Sequence, residues 1–183
     1  RLDKTHGRLL KLLINEVMPS LKAQFPNLVF EIVGDGSMVR QIETWAEKAN
    51  NLLGLGSIVL TGYKEKFIAG TYKGCLVIGV GRVALEALSW GAPVLAVNGQ
   101  RLGPRISSAN YETLRQTNFV DVTAQKPSTA SLVESISEVY GHYNAAVEES
   151  HLLQERVRHD FALSTMVEKI MQVYAEAVGK DRS

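Results

Sequence analysis

The stretch Leu76 to Val97, LVIGVGRVALEALSWGAPVLAV, restricts the fold more than any other part of the chain. A short apolar run turns at Gly79-Val80-Gly81, passes into an apolar segment carrying one glutamate, breaks at Gly91-Ala92-Pro93 and resumes as a second apolar run. This order reads as strand, glycine turn, helix and strand of a parallel sheet. It places backbone N–H groups and a helix N-terminus at the carboxyl ends of the strands, where anionic ligands bind. Glu86 falls on the first turns of that helix, within reach of a sugar hydroxyl. The segment therefore predicts nucleotide binding.

The rest of the chain repeats the same alternation. Leu9, Leu10, Leu12, Leu13, Val17 and Leu21 form a helical stripe over Gly7 to Gln24, loosened or kinked at Pro19. Leu28 to Val33 is a strand ended by Gly34-Asp35-Gly36, and Ser37 is placed to cap a helix running to about Asn51. Ser57 to Leu60 is a third strand, closed by Thr61-Gly62-Tyr63. A short helix is expected near Lys64 to Thr71, then the strand Cys75 to Ile78, the helix Arg82 to Trp90 and the strand Pro93 to Val97. Asn118 to Val122 reads as one more weak strand. From Ser128 to about Val178 the pattern is helical, with breaks around Gly141 and His159, caps at Ser128 and Ser131, and a last stripe of Met166, Val167, Ile170, Met171 and Tyr174. Short buried strands alternating with helices predict an α/β fold: a Rossmann-like doubly wound parallel sheet with helices on both faces (about 1–125) and a helical C-terminal extension (about 128–178).

At 183 residues the chain suits a single domain with a real core. Its formal charge of +1 argues against a general polyanion binder, so no nucleic-acid partner is expected. Cys75, the only cysteine, removes disulfides and Cys-based zinc from consideration and reads as core packing. His6, His142, His151 and His159 are scattered, so no metal site is expected. No signal peptide and no apolar run of about 18 residues is found, which predicts a cytoplasmic protein. The opening Arg-Leu-Asp reads as a piece of a longer protein that starts just after a strand.

Gly79-Val80-Gly81-Arg82-Val83-Ala84 has the form G-x-G-x-x-A after a strand, a pattern that also occurs as a purely structural turn. A nicotinamide or flavin site expects an acid about 20 positions further on, at the end of the next strand. Here that strand ends in Val97-Asn98-Gly99, which disfavours a dehydrogenase. Glu86 sits among Val83, Ala84, Leu85, Ala87 and Leu88, so its carboxylate needs a partner, and a pair of ligand hydroxyls suits its two oxygens. Arg101, Arg105 and Arg115 lie beyond a strand end, either toward a ligand phosphate or in a solvated loop.

Four segments in order, RLDKTHG, FPNLVFEIVGDG, IVLTGY and LVIGVGRVALEALSWGAPVLAV, resemble the C-terminal domain of GT-B-fold glycosyltransferases, within the large retaining group often called group 1. The resemblance covers Arg1 to about Gly99, and more loosely Gly103 to Val122. It implies a nucleotide-diphosphate sugar as substrate and a hexosyltransferase activity in a longer chain. It also implies a separate N-terminal domain for the acceptor, through which alone a membrane could be engaged. The resemblance places Arg1 on the donor diphosphate. The family's lysine position falls on His6, with Lys4 nearby as a substitute. Gly62 and Tyr63 would lie against the base, Gly79, Gly81, Arg82 and Val83 around the phosphates, and Glu86 on the ribose hydroxyls.

One departure is specific. The family's E-x7-E pattern puts a glutamate eight residues before Glu86, to contact the transferred sugar, and this chain has Ile78 there. No catalytic residue is assigned, and no cofactor beyond the nucleotide sugar is implied. A non-catalytic nucleotide-sugar-binding module and a nucleotide-sugar epimerase of the same fold are the alternatives. The isolated domain is expected to bind donor and transfer nothing.

Overall fold

The computed structural model describes residues 2–64 and 74–180, with side chains to residue 175 apart from 166 and 169. The fold is α/β, with two small sheets among the described residues. Strands β1 (Phe30–Val33) and β2 (Ile58–Gly62) form a parallel pair. Strand β4 (Val94–Val97) lies between β3 (Val77–Ile78), to which it is parallel, and β5 (Leu102–Arg105), to which it is antiparallel. The expected single doubly wound sheet is therefore seen as a two-stranded parallel sheet and a three-stranded mixed one.

The first helix starts at Lys4, three residues before the apolar stripe suggested, because the Asp3 side chain caps it by accepting from the Thr5 N–H. It runs as α1 (Lys4–Leu12), a π-helical turn (Leu13–Val17) and α2 (Met18–Gln24). Pro19 lies just beyond the π turn. Proline has no N–H for the Asn15 carbonyl four residues back, and just before it the Met18 N–H reaches the Leu13 carbonyl five residues back. The loosening expected at Pro19 takes this form.

Helix α3 (Val39–Leu53) follows β1; its N-cap position is Met38, without a side-chain cap, so Ser37 does not play the expected role. Gly54 closes it at φ 99°. Helix α4 (Arg82–Ser89) joins β3 to β4 as expected. The strand expected at Asn118 to Val122 is absent. The chain there is a turn with Asn118 and Phe119 at positive φ, after a short helix α5 (Tyr111–Gln116). The helix expected at Lys64 to Thr71 lies outside the described residues from Glu65 onward. The C-terminal region folds as α6 (Thr129–Gly141), α7 (Tyr143–Asp160) and α8 (Leu163–Lys180). Ser128 and Ser131 form a reciprocal capping box at the start of α6, and the breaks fall where Gly141 and His159 placed them.

Three apolar clusters make the core. Leu2, Ile14 and Met18 pack with Ile32, Ile58 and the α3 residues Ile42, Ala46 and Ala49. Leu9, Leu13, Val17 and Leu21 pack with Leu95, Val97 and the α6 residues Leu132 and Ile136. On the other face of β4, Val94 and Ala96 meet Ala84, Ala87 and Leu88 of α4, Tyr111 of α5, and Leu153 and Val157 of α7. Alternate residues of β4 thus enter different clusters, so this strand is covered by helices on both faces. The final stripe behaves differently: Val167, Ile170, Met171 and Tyr174 of α8 are exposed. No helix among the described residues is long and apolar enough to cross a membrane.

Charge locks α5 to α7. Buried Tyr111 donates to Asp160 at 3.0 Å, Arg156 lies over its ring at 4.8 Å, and Glu112 pairs with both Arg115 and Arg156. Burial pushes the Asp160 pKa up, but the Tyr111 and His159 hydrogen bonds and the Arg115 and Arg156 charges hold it below its ordinary value. Glu149 is lowered in the same manner, burial being outweighed by Arg105 and the Ser108 N–H. Carboxylates with folded pKa values below their unfolded ones stabilise the fold above the unfolded values, and that stability is lost as pH falls. The thermal midpoint should therefore fall on acidification below about pH 4. Asp160→Asn should lower the midpoint at neutral pH and reduce its fall in acid. A variant that keeps the full acid dependence contradicts this assignment.

Candidate functional site

Both sheets bring their carboxyl ends to the start of α1. The Leu2 N–H donates to the Asp35 carbonyl just beyond β1, and a Cβ on Gly99, just beyond β4, would come within 2.8 Å of the Thr5 carbonyl oxygen. Helices α1, α3 and α4 all begin at this end, so the positive dipole ends of three helices share one side of the molecule. They are not equivalent. Asp3 caps α1 with a carboxylate held far below the usual range by hydrogen bonds from Thr5 and then His6. That charge compensates α1, whereas α3 and α4 have no side-chain cap.

The turn into α4 is built for close backbone approach. Gly81 occupies the N-cap position at φ 60°, ψ −133°, a conformation that side chains other than hydrogen rarely allow. Its N–H donates to the Asn118 carbonyl at 2.9 Å, and an added Cβ would stand 3.1 Å from Asn118 Nδ2. At Gly79 an added Cβ would fall 2.7 Å from Val83 Cγ1. Sequence reasoning missed Asn118, the brace of this turn. Its signal was present, because asparagine is among the few residues that tolerate positive φ.

Glu86 lies one turn into α4 with its side chain 37% exposed. It already has a partner: Arg82 Nε donates to Oε1 at 2.8 Å, an i, i+4 contact along the helix. The carboxylate's need for a partner is thus met within the chain. Arg82 is 88% exposed, so this pairing is screened by water and open to exchange for another donor. The hydrogen bond and charge of Glu86 hold the Arg82 guanidinium protonated more firmly. Tyr63 itself is 73% exposed, and Val83 50%. Gly62, at φ 68°, ends β2 and turns the chain toward Tyr63.

The structure places Gly79, Gly81, Arg82, Val83 and Glu86 together at the carboxyl end of β3, and Gly62 and Tyr63 at the carboxyl end of β2, in the other sheet. Lys4 begins α1 and is exposed, and Arg1 lies outside the described residues. His6 is held by Asp3 rather than turned outward alone: its Nδ1 lies 3.0 Å from Oδ1. Ile78, at the position of the family's first glutamate, is a half-buried residue of β3.

The basic residues further on are engaged elsewhere. Arg101 donates to the Ala124 carbonyl, Arg105 to Glu149, and Arg115 to Glu112. Cys75 is half-buried, and burial pushes its thiol pKa up, as core packing requires. Among the described residues no group of three or more His, Cys, Asp or Glu side chains is arranged to hold a metal ion. Two clefts, one lined by Leu21, Phe30 and Ile136 and the other by Arg105, Glu138 and His142, lie away from these residues.

Gly81→Ala should destabilise the fold by about 1–3 kcal/mol, since alanine must adopt a glycine-only conformation and press on Asn118. Denaturant titration should give a lower midpoint with an unchanged slope. An unaltered midpoint would mean that the turn has a different conformation.

Comparison with models of protein families gives no match, and a search of curated proteins gives none.

Proposed function

We propose that this chain is the nucleotide-sugar-binding half of a two-domain glycosyltransferase of the GT-B type, in which a second domain holds the acceptor. The observation that carries the reading is the uncapped N-terminus of α4 behind the Gly79–Gly81 turn, with Glu86 one helical turn further on. In this reading the β1–β2 and β3–β4 pairs belong to one Rossmann-like, doubly wound layer. The order of the four matching segments supports it.

The chemistry follows from charge. Transfer breaks the bond between sugar C1 and the diphosphate oxygen, leaves the electron pair on the diphosphate, and joins C1 to an acceptor oxygen that loses its proton. Negative charge grows on the diphosphate, so preorganised N–H groups of α4 and the Arg82 guanidinium lower the barrier if they face it. Arg82 then leaves Glu86 for the phosphates, and the freed carboxylate accepts from the two ribose hydroxyls. Such an exchange costs little at the surface, where the existing pair is screened. The openness of the site and the exposed face of α8 suit a cleft that a second domain completes.

Ile78 favours one second reading, a module that binds the nucleotide sugar without transferring it. A half-buried aliphatic residue offers nothing to a sugar hydroxyl.

Calorimetry should find a nucleoside diphosphate such as UDP binding more tightly than the monophosphate, because two phosphates meet the α4 N-terminus. Equal affinities contradict the proposal, and tighter binding of NADH points to a dehydrogenase. Glu86→Gln should weaken nucleotide binding roughly 10- to 100-fold, as loss of a charged hydrogen-bond acceptor does. A 2′,3′-dideoxy nucleotide should show the same loss on the native chain and little further loss on the variant. Additive losses would remove Glu86 from the ribose. With the second domain joined, turnover of a donor panel separates the transferase from the non-catalytic module.

A further inference from the structure

A cleft of about 510 Å³ is bounded by β5, α6 and the start of α7, and it reaches down to the buried Leu95 of β4. Pockets that hold small molecules span about 300–1,000 Å³. The cleft stays open because its walls are short: Pro104 on β5, and Ala145 and Ala146 in the first turn of α7, carry no long side chain to fill it. Arg105, Ser135, Glu138 and His142 stand around it, each with hydrogen-bonding capacity to spare. Arg105 donates from Nη2 to Glu149 at 2.7 Å, while its buried Nη1 has no partner. A donor closed off from water and left unmatched is costly, so an acceptor brought to it is favoured. The Ser135 hydroxyl and the Glu138 carboxylate make no hydrogen bond to any described residue. His142 Nδ1 lies 3.2 Å from the Glu138 carbonyl oxygen, which can only accept, so the neutral ring carries its proton there and leaves Nε2 as an acceptor.

The chemistry of an occupant follows from these groups. Arg105 can only donate, the Glu138 carboxylate can only accept, and Ser135 does both. Glu149 already sits on Arg105, so with Glu138 two carboxylates stand near one guanidinium, and an anion is not favoured. A cation gains from Glu138 but meets Arg105 and leaves Nη1 unmatched. Sugar hydroxyls suit the whole set, because each donates and accepts at once. The C–H faces of a sugar ring also match the apolar surface of Leu95 and Val139. We propose that this cleft binds a neutral, polyhydroxylated molecule, a saccharide of one or two rings. It shares no residue with the nucleotide site, and the inference stands apart from that reading.

The test titrates the chain with maltose, lactose and N,N′-diacetylchitobiose, following backbone amides by NMR, with hexanoate and hexylammonium as charged controls. At least one disaccharide should give saturable shifts at Arg105, Val139, His142 and Ala145, and neither ion should. Ala145 is an exposed helical residue, so Ala145→Leu keeps the helix while filling the cleft. It should weaken disaccharide binding on the order of tenfold or more. Glu138→Gln, also at an exposed position, removes a charged acceptor and should weaken it roughly tenfold. Both variants should keep the native thermal midpoint. Saturation of these amides by hexanoate or hexylammonium overturns the proposal, and so does disaccharide binding that both variants leave unchanged. The absence of a saturable shift at these amides with all three disaccharides overturns it as well.

Discussion

The structure depends on one helical segment, Lys4–Gln24, packed against two sheets that share no strand pairing among the described residues. Sheets of two and three strands have little stability of their own, and these are held by burial beneath a common roof. The segment can serve both because its apolar surface is broad. Ile14 and Met18 are directed to one sheet, and Leu9, Leu13, Val17 and Leu21 to the other. The π turn at Leu13–Val17 lies where these two sets meet and lets the helix pass Pro19 without ending.

The same packing organises the electrostatics. With β1 to β4 running one way beneath the helix, the N-termini of α1, α3 and α4 gather at one end. Any one helix end is worth only about 0.3–1 kcal/mol to a neighbouring anion at an exposed site. Selectivity within the group comes from capping: Asp3 places a carboxylate on α1, while α3 and α4 remain without one. Gly81 lets backbone N–H groups rather than side chains face outward at α4, and Asn118 fixes that turn from behind. The Arg82–Glu86 pair stores a cation and a carboxylate beside it, each able to change partner.

Elements with strong local signals were legible from residue order. The α6 cap was readable because Ser128 and Ser131 satisfy each other within one turn. The Gly79–Gly81 turn and α4 were readable because glycine spacing and apolar content agree. β5 was not: Leu102-Gly103-Pro104-Arg105 contains two residues that disfavour strands, and it is a strand because β4 offers an edge. Asn118-Phe119-Val120 carries strand-forming residues, yet it turns, since the Phe119 N–H must close α5 by donating to the Leu114 carbonyl. The fates of Arg101 and Arg105 depended on partners 23 and 44 residues away, beyond the reach of any local pattern. Within the site, the positions of Gly81 and Glu86 were legible. The internal partner of Glu86 was present in the i, i+4 spacing to Arg82 and was passed over in favour of a ligand.

The central claim is that the α4 N-terminus and its glycine turn receive a diphosphate. The most direct measurement is a titration of the isotopically labelled chain with UDP, following backbone amide resonances by NMR. The account predicts saturable shifts at Gly79, Gly81, Arg82 and Val83, accompanied by Tyr63 and by the Arg82 side-chain Nε–H as it leaves Glu86. Saturable shifts centred instead on Arg105 and Glu149, or no saturable shift at the glycine turn, would contradict it.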